Sequence, residues 1–467
     1  MSSHKYPART DRYEYRGARR RALRTRYERR TRAADLIAEL DVRTPREVTL
    51  AFLRGPGDRS YSCRLLFTDE PELSWSAACG REQRIDTVLR DLRTAWDEAI
   101  RAEGWERRLD LTGPDADRWD AVFRRLAAAG QAAFEAIFVN HEKPAPMREL
   151  AEQLCARLRA RRCVVGVWSN ELFAPWGLLV LPPPPASEAN RLAQERRDRQ
   201  DELALDGAGA EGGTGGPVTA AQRWGPRFLG YRHLIEHRSL LTHAHCSASS
   251  IPRRNGTRAA ALALVHRDAP PEHAEVIRVL ADHTDLYACG SDATDFLAQL
   301  HSGTFRHQMI YVFSHGHGYS GDPARLYPST RGEESIGVGQ LLSAVAGGTE
   351  DRAEPHDVCA VHHLTGSPLM YFNVCRAGEF TPASGDSVTR QLSELGASCA
   401  ITPELIAPKV LAVEHALRFL EPFLRDGVEV GARLRHLTRA FAREYGTLLG
   451  LMYGVKGRLD TRLGPTS

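Results

Sequence analysis

Lysine is nearly missing from this chain. Of 62 basic residues among 467, only Lys5, Lys143, Lys409 and Lys456 are lysines, and the rest are arginines. Alanine is abundant as well, so the bias reads as a GC-rich genome and carries no function. Cysteine is sparse and unpatterned. Nine are scattered with no C-x-x-C pair, which excludes a zinc ribbon and a disulfide framework. Residues 1–5 have no apolar h-region, so no secretory signal is expected, and an odd cysteine count predicts reduced thiols in a cytoplasm. No run approaches the roughly 18 consecutive apolar residues of a membrane span. An excess of one charge is missing too: 62 basic against 59 acidic residues leave +3, so the whole chain exerts no general pull on nucleic acid. No repeat period is visible, which excludes a solenoid.

What remains is ordinary globular composition, 42% hydrophobic and 26% charged, enough to bury a core without cross-links. The length predicts two to four domains or one large one with insertions. Residues 1–45 form a basic arm or helix with Arg19-Arg20-Arg21, Arg24, Arg26, Arg29, Arg30 and Arg32. It reads either as a solvated face or as a patch for nucleic acid or an acidic partner. From Val48, apolar residues alternate at period two (Val48, Leu50, Phe52; Cys63, Leu65, Phe67), as in half-buried strands. Ile85, Val88, Leu89, Leu92 and Trp96 recur at helical spacing; residues 147–158 read as a helix and 163–168 as a buried strand. Proline, mixed charge and glycine then follow in succession, marking a linker or mobile insertion at 187–224.

Beyond it, apolar runs at 260–265, 309–313, 369–372 and 399–401 are too short for helices and read as buried strands. Helical patterns lie between and after them. One carries Val276, Ile277 and Leu280; one carries Phe296, Leu297 and Leu300 behind a cap at Asp292 or Thr294; one carries Val388, Leu392 and Leu395. Two more cover 408–424 and the stretch with Leu434, Leu437, Phe441 and Tyr445. Strands alternating with helices predict an α/β fold with a mostly parallel sheet and helices on both faces. In such sheets function gathers at the carboxyl ends of the strands.

Two strand ends carry reactive side chains. The run 309–313 leads into Ser314-His315-Gly316-His317-Gly318, and 369–372 leads into Asn373-Val374-Cys375-Arg376-Ala377-Gly378. An imidazole beside a thiol takes its proton or stabilises the thiolate, and later protonates a leaving amine. Glycines behind both residues leave backbone N–H groups free, so those of Gly316 and Cys375 are natural oxyanion donors. Either residue alone would read as a packed thiol or a structural histidine. The coincidence of strand, reactive residue and glycine raises the pair above that. His243-Ala244-His245-Cys246 with His362-His363 lacks a second ligand element, so no metal is expected. Glu333-Glu334 reads as a solvated turn.

Ser314-His315-Gly316 after one strand and Cys375-Arg376-Ala377-Gly378 after another resemble the caspase-like cysteine peptidases of the caspase/separase clan. More closely they resemble a bacterial CHAT domain, whose His-Gly and Cys-x-x-Gly elements precede a small-residue turn, a short strand and paired helices. Leu395-Gly396-Ala397-Ser398-Cys399-Ala400-Ile401 fits that tail. Ala174-Pro175-Trp176-Gly177-Leu178-Leu179 resembles the Pro-Trp-Glu-Leu-Leu element closing the family's first half, with Gly177 in place of the Glu. Thr402-Pro403-Glu404 stands where the family usually has a tryptophan.

The resemblance covers about residues 46–455. It implies a pseudo-caspase half at 46–186, a catalytic caspase-like half at 225–467, and a cysteine endopeptidase with a Cys-His dyad. Cys375 would be the nucleophile, His315 the general base and acid with His317 as the alternative, and Gly316 and Cys375 the oxyanion hole. No cofactor is implied. The clan's habit of pairing basic substrates with a carboxylate makes Asp386 a candidate, although it reads more simply as an N-cap for the following helix, while Arg376 would favour an acidic substrate. The expected partners are a protein substrate and a separate sensor or activator, with no membrane, and nucleic acid only through residues 1–45. Family members are tied to sensing or defence. The alternative is a catalytically silent scaffold that binds a partner protein. The loop-rich stretch 319–368 is a site for an activation loop or self-cleavage.

Overall fold

The computed structural model describes residues 46–54, 60–102, 111, 116–139, 144–169, 172–184, 218–238, 250–252, 258–301, 305–314, 325–328, 335–337, 340–341, 344–345, 364, 366–374 and 396–464. The first part of the chain forms β1 (Val48–Arg54), β2 (Ser60–Phe67), β3 (Glu70–Arg81), α1 (Glu82–Ala102), α2 (Ala116–Phe138), α3 (Pro144–Ala160) and β4 (Val164–Ser169). Then come α4 (Ala220–Trp224), α5 (Leu229–Arg232), β5 (Leu234–Arg238), β6 (Ser250–Ile251), β7 (Ala259–Val265), α6 (His273–His283), β8 (Thr284–Ala288), α7 (Ala293–Gln299) and β9 (Met309–Ser314). The rest comprises β10 (Arg325–Leu326), β11 (Ile336–Gly337), β12 (Leu369–Val374), β13 (Cys399–Pro403), α8 (Lys409–Asp426), α9 (Val430–Glu444), β14 (Tyr453–Gly457) and β15 (Arg462–Leu463).

Eleven strands make one sheet, in the order β3-β2-β1-β4-β5-β14-β13-β12-β9-β7-β8. Strands β3, β2 and β1 form an antiparallel meander at one end, and from β1 onward the order consists of two parallel blocks running in opposite directions. One is β1, β4, β5 and β14; the other is β13, β12, β9, β7 and β8. They meet where β14 lies antiparallel to β13. The α/β architecture with a mostly parallel sheet is therefore the one the sequence predicts.

Period-two alternation explains how the central strands become buried on both faces. Met309, Tyr311 and Phe313 join Leu369 and Tyr371 in the main core, together with Val276 and Leu280 of α6 and Leu411 and Phe419 of α8. Ile310 and Val312 join Met370, Phe372 and Val374 in a second cluster on the opposite face, closed by Phe296 of α7. Full burial of each large side chain contributes roughly 1.5–3 kcal/mol, so each face of a six-residue strand is strongly specified. Asp292, the first of the two cap candidates, caps α7, accepting from the Asp295 N–H at 2.9 Å.

β9 and β12 run further than the apolar pattern indicates. β9 includes Ser314, and β12 includes Asn373 and Val374. In the stretch read as 187–224, residues 187–217 lie outside the described residues, whereas 220–224 form α4. That helix opens on a capping box, Thr219 with Gln222, and buries Ala220 and Ala221. The strands flanking this stretch, β4 and β5, are direct neighbours, so the two halves share one sheet. Within 319–368, β10 and β11 pair antiparallel, and Leu326, Ile336, Leu341 and Val345 are buried in the second cluster. The basic arm, the helix expected around Val388 to Leu395, and Glu333-Glu334 lie outside the described residues. No described helix is long and apolar enough to cross a membrane.

Candidate active site

The carboxyl ends of β7, β9, β12 and β13 lie side by side at one edge of the sheet. The last residues of β9 and β12, Ser314 and Val374, are direct Cα partners. Ser314 Oγ donates to the Tyr327 carbonyl at 2.7 Å, which ties the end of β9 to the segment carrying β10. On the β7 side, His266 N–H donates to the Phe313 carbonyl at 2.7 Å, and His266 Nδ1 accepts from Asp268 N–H at 2.9 Å. On the β13 side the last Cα pair with β12 is Tyr371–Ile401. Further on, β13 ends at Pro403, which has no N–H to continue a ladder.

Beneath this edge, on the face covered by α8, sits a buried polar chain. Tyr453 OH of β14 donates to Asn373 Oδ1 at 2.7 Å. Asn373 Nδ2 donates to the Ala412 carbonyl of α8 at 2.9 Å and to Tyr311 OH of β9 at 3.4 Å. Tyr311 OH lies 2.9 Å from His273 Nε2 at the start of α6. With the Tyr311 hydroxyl donating to Nε2, His273 is a neutral ring that carries its own proton on Nδ1. Burial agrees: it lowers the His273 pKa to about 4 and raises that of Tyr311. A second pair lies alongside. Tyr371 OH and His415 Nδ1 are 2.5 Å apart, and the His415 ring stacks on Tyr453 at 3.7 Å. Burial lowers His415 to about 3 and raises Tyr371.

The described cysteines are packing residues. Cys63, Cys79, Cys155, Cys163, Cys289 and Cys399 are all buried. Burial raises the thiol pKa of Cys63, Cys163 and Cys399, and pushes Cys289 up to about 12. In all four, burial disfavours the thiolate.

In the element resembling Pro-Trp-Glu-Leu-Leu, Trp176 to Leu178 make a single tight turn, and the Trp176 ring stacks on Phe52 at 5.4 Å. Gly177 faces Gly230 so closely that a Cβ on Gly230 would stand 2.8 Å from the Gly177 Cα, and one on Gly177 would meet the Leu451 carbonyl at 3.0 Å. The Glu of the motif has no room here.

His315, Gly316, His317, Cys375, Arg376 and Asp386 lie outside the described residues, as do His243, His245, Cys246, His362 and His363. Among the described residues no group of three or more His, Cys, Asp or Glu side chains is placed to hold a metal. The pattern reading missed Tyr311, His273, Tyr453 and His415. One signal was present: Asn373, a polar residue directly behind the buried run 369–372.

No family model matches the chain, and no curated protein matches it. Two solved structures of the Saccharomyces cerevisiae separase–securin complex are similar to it. One, at 3.0 Å resolution, shares 8% identity and a TM-score of 0.47, covering 90% of this chain and 30% of that chain. The other, at 2.6 Å, shares 7% identity and a TM-score of 0.47, covering 93% and 31%. The chain thus spans less than a third of the chains it matches.

Proposed function

We propose that this chain is a caspase-like cysteine endopeptidase of the CHAT kind, in which Cys375 attacks the scissile peptide carbonyl. The observation that carries the reading is the pairing of Ser314 with Val374 on adjacent parallel strands. One peptide bond separates each from the reactive residue that follows. With about 3.8 Å between consecutive Cα atoms and about 4.8 Å between strands, covalent geometry keeps the Cα atoms of residues 315 and 375 within about 12 Å. Elimination supports the same choice. Six of the nine cysteines are buried, and of Cys246, Cys359 and Cys375 the last directly follows a described strand of the central sheet.

The chemistry follows from the residue types. His315, or His317 as the alternative, takes the thiol proton. The thiolate forms the C–S bond while the carbonyl electron pair moves to oxygen, where the N–H groups of Gly316 and Cys375 receive it. The histidine then protonates the leaving amine, the C–N bond breaks, and water hydrolyses the thioester. The substrate is a protein, and a separate protein in a bacterial sensing or defence module triggers the reaction.

Mass spectrometry of new protein N-termini in host lysate tests this, comparing wild type with Cys375→Ala, each with and without the products of neighbouring genes. New termini that appear with wild type and vanish in Cys375→Ala establish the peptidase and display its preferred residue, basic or acidic. The same comparison with His315→Ala and His317→Ala identifies the base. Identical termini under every condition would overturn the reading in favour of a silent scaffold.

A further inference from the structure

We infer that Asn373 is a positioning residue, a three-way clamp that fixes the end of β12 from which Cys375 follows two residues later. The inference rests on the peptidase reading above. Its evidence is the placement of the bonds. Beyond Tyr371–Ile401 no further Cα pair joins β12 to β13, and Pro403 withholds a donor where the next would form. There the Asn373 side chain takes over. Its amide holds β12 to β9 through Tyr311 OH, to α8 through the Ala412 carbonyl, and across β13 to β14 through Tyr453 OH.

Every polar atom of that amide is used, and the group is buried, with Asn373 5% and Tyr311 0% exposed. An asparagine inside an apolar sheet is costly unless so satisfied, and a fully satisfied network holds one geometry. Tyr311 in turn holds the middle of β9, three residues before Ser314, so one amide couples the ends of both reactive strands. A dyad needs its two side chains held to within a fraction of an ångström. The clamp supplies a rigid base one residue below the Ser314–Val374 row.

Alkylation of the full-length protein with iodoacetamide across pH 5–10, following the Cys375 peptide by mass spectrometry, tests the inference. The wild-type thiol is expected to react well below the free-thiol pKa of about 8.5. Tyr453→Phe removes one O–H while keeping the ring stacked on His415, and is expected to raise the midpoint by about one pH unit, a tenfold loss of thiolate. Asn373→Ala should do the same or more. If Asn373→Ala fails to fold, Tyr453→Phe and Tyr311→Phe carry the test, with melting temperatures taken alongside. A depressed wild-type midpoint that all folded variants share would overturn the clamp and leave the peptidase reading intact. A wild-type midpoint near 8.5, unmoved by His315→Ala, would overturn the dyad and the clamp with it.

Discussion

Lowering the pH from 7 to 5 should cost this protein much of its stability, and three buried imidazoles carry a large share of the loss. Burial holds His233 and His415 down to about 3 and His273 to about 4. Each is also committed as a neutral hydrogen-bonding ring. His233 Nδ1 accepts from Cys163 N–H at 3.2 Å, His415 Nδ1 pairs with Tyr371 OH, and His273 Nε2 pairs with Tyr311 OH. In the unfolded chain all three return to about 6.5. Below that value the unfolded chain binds protons that the folded chain refuses, so stability is complete above about 6.5 and falls as pH drops toward the folded values. Between pH 7 and 5 each histidine loses about 2 kcal/mol, and together they lose about 6. That is comparable with the roughly 5–15 kcal/mol of an entire domain. Urea unfolding followed by tryptophan fluorescence at pH 5, 6, 7 and 8 measures it. The midpoint should be nearly level from 8 to 7 and fall steeply toward 5, and His415→Phe, which keeps a ring on Tyr453, should remove about 2 kcal/mol of the loss. An unchanged midpoint at pH 5 would refute the argument.

Two further outcomes follow from packing and charge. Gly230→Ala forces a methyl to 2.8 Å from the Gly177 Cα and should destabilise by roughly 1–3 kcal/mol, read as a lower urea midpoint at pH 7. Glu404→Gln leaves Lys456, its partner at 2.5 Å, as an uncompensated buried cation. The expected cost is about 3–5 kcal/mol, partly recovered in a Glu404→Gln, Lys456→Met double variant, and a neutral single variant would contradict it.

Much of the fold was legible because its signals are local. β9 and β12 are short, continuously buried apolar runs, and both were found, short by one and two residues at their carboxyl ends. The helices α1, α6, α7 and α8 carry apolar residues at helical spacing against one face and were found as well. No alternation marks β8, an edge strand of the sheet, because only Thr284 of its five residues is buried. β14 was passed over because Gly454 and Gly457 interrupt it, and its place depends on partners far away in the chain. The extra residues of β9 and β12 were misjudged for a similar reason. Ser314 and Asn373 are polar, and bonds to distant groups, among them Tyr327, Tyr311, Ala412 and Tyr453, make them tolerable inside a sheet.

The site divides the same way. The amino-acid sequence by itself determined which strands form, that both are sealed on two faces, and which reactive residues follow them, since periodicity and chain order are properties of neighbours. The tertiary structure decided that β9 and β12 are adjacent with Ser314 opposite Val374. It also inserted β14, from the end of the chain, between β5 and β13, which brings Tyr453 to an asparagine 80 residues away. Strand order and buried hydrogen bonds of that kind follow from how all the apolar faces are satisfied together, and no local stretch of sequence contains that information.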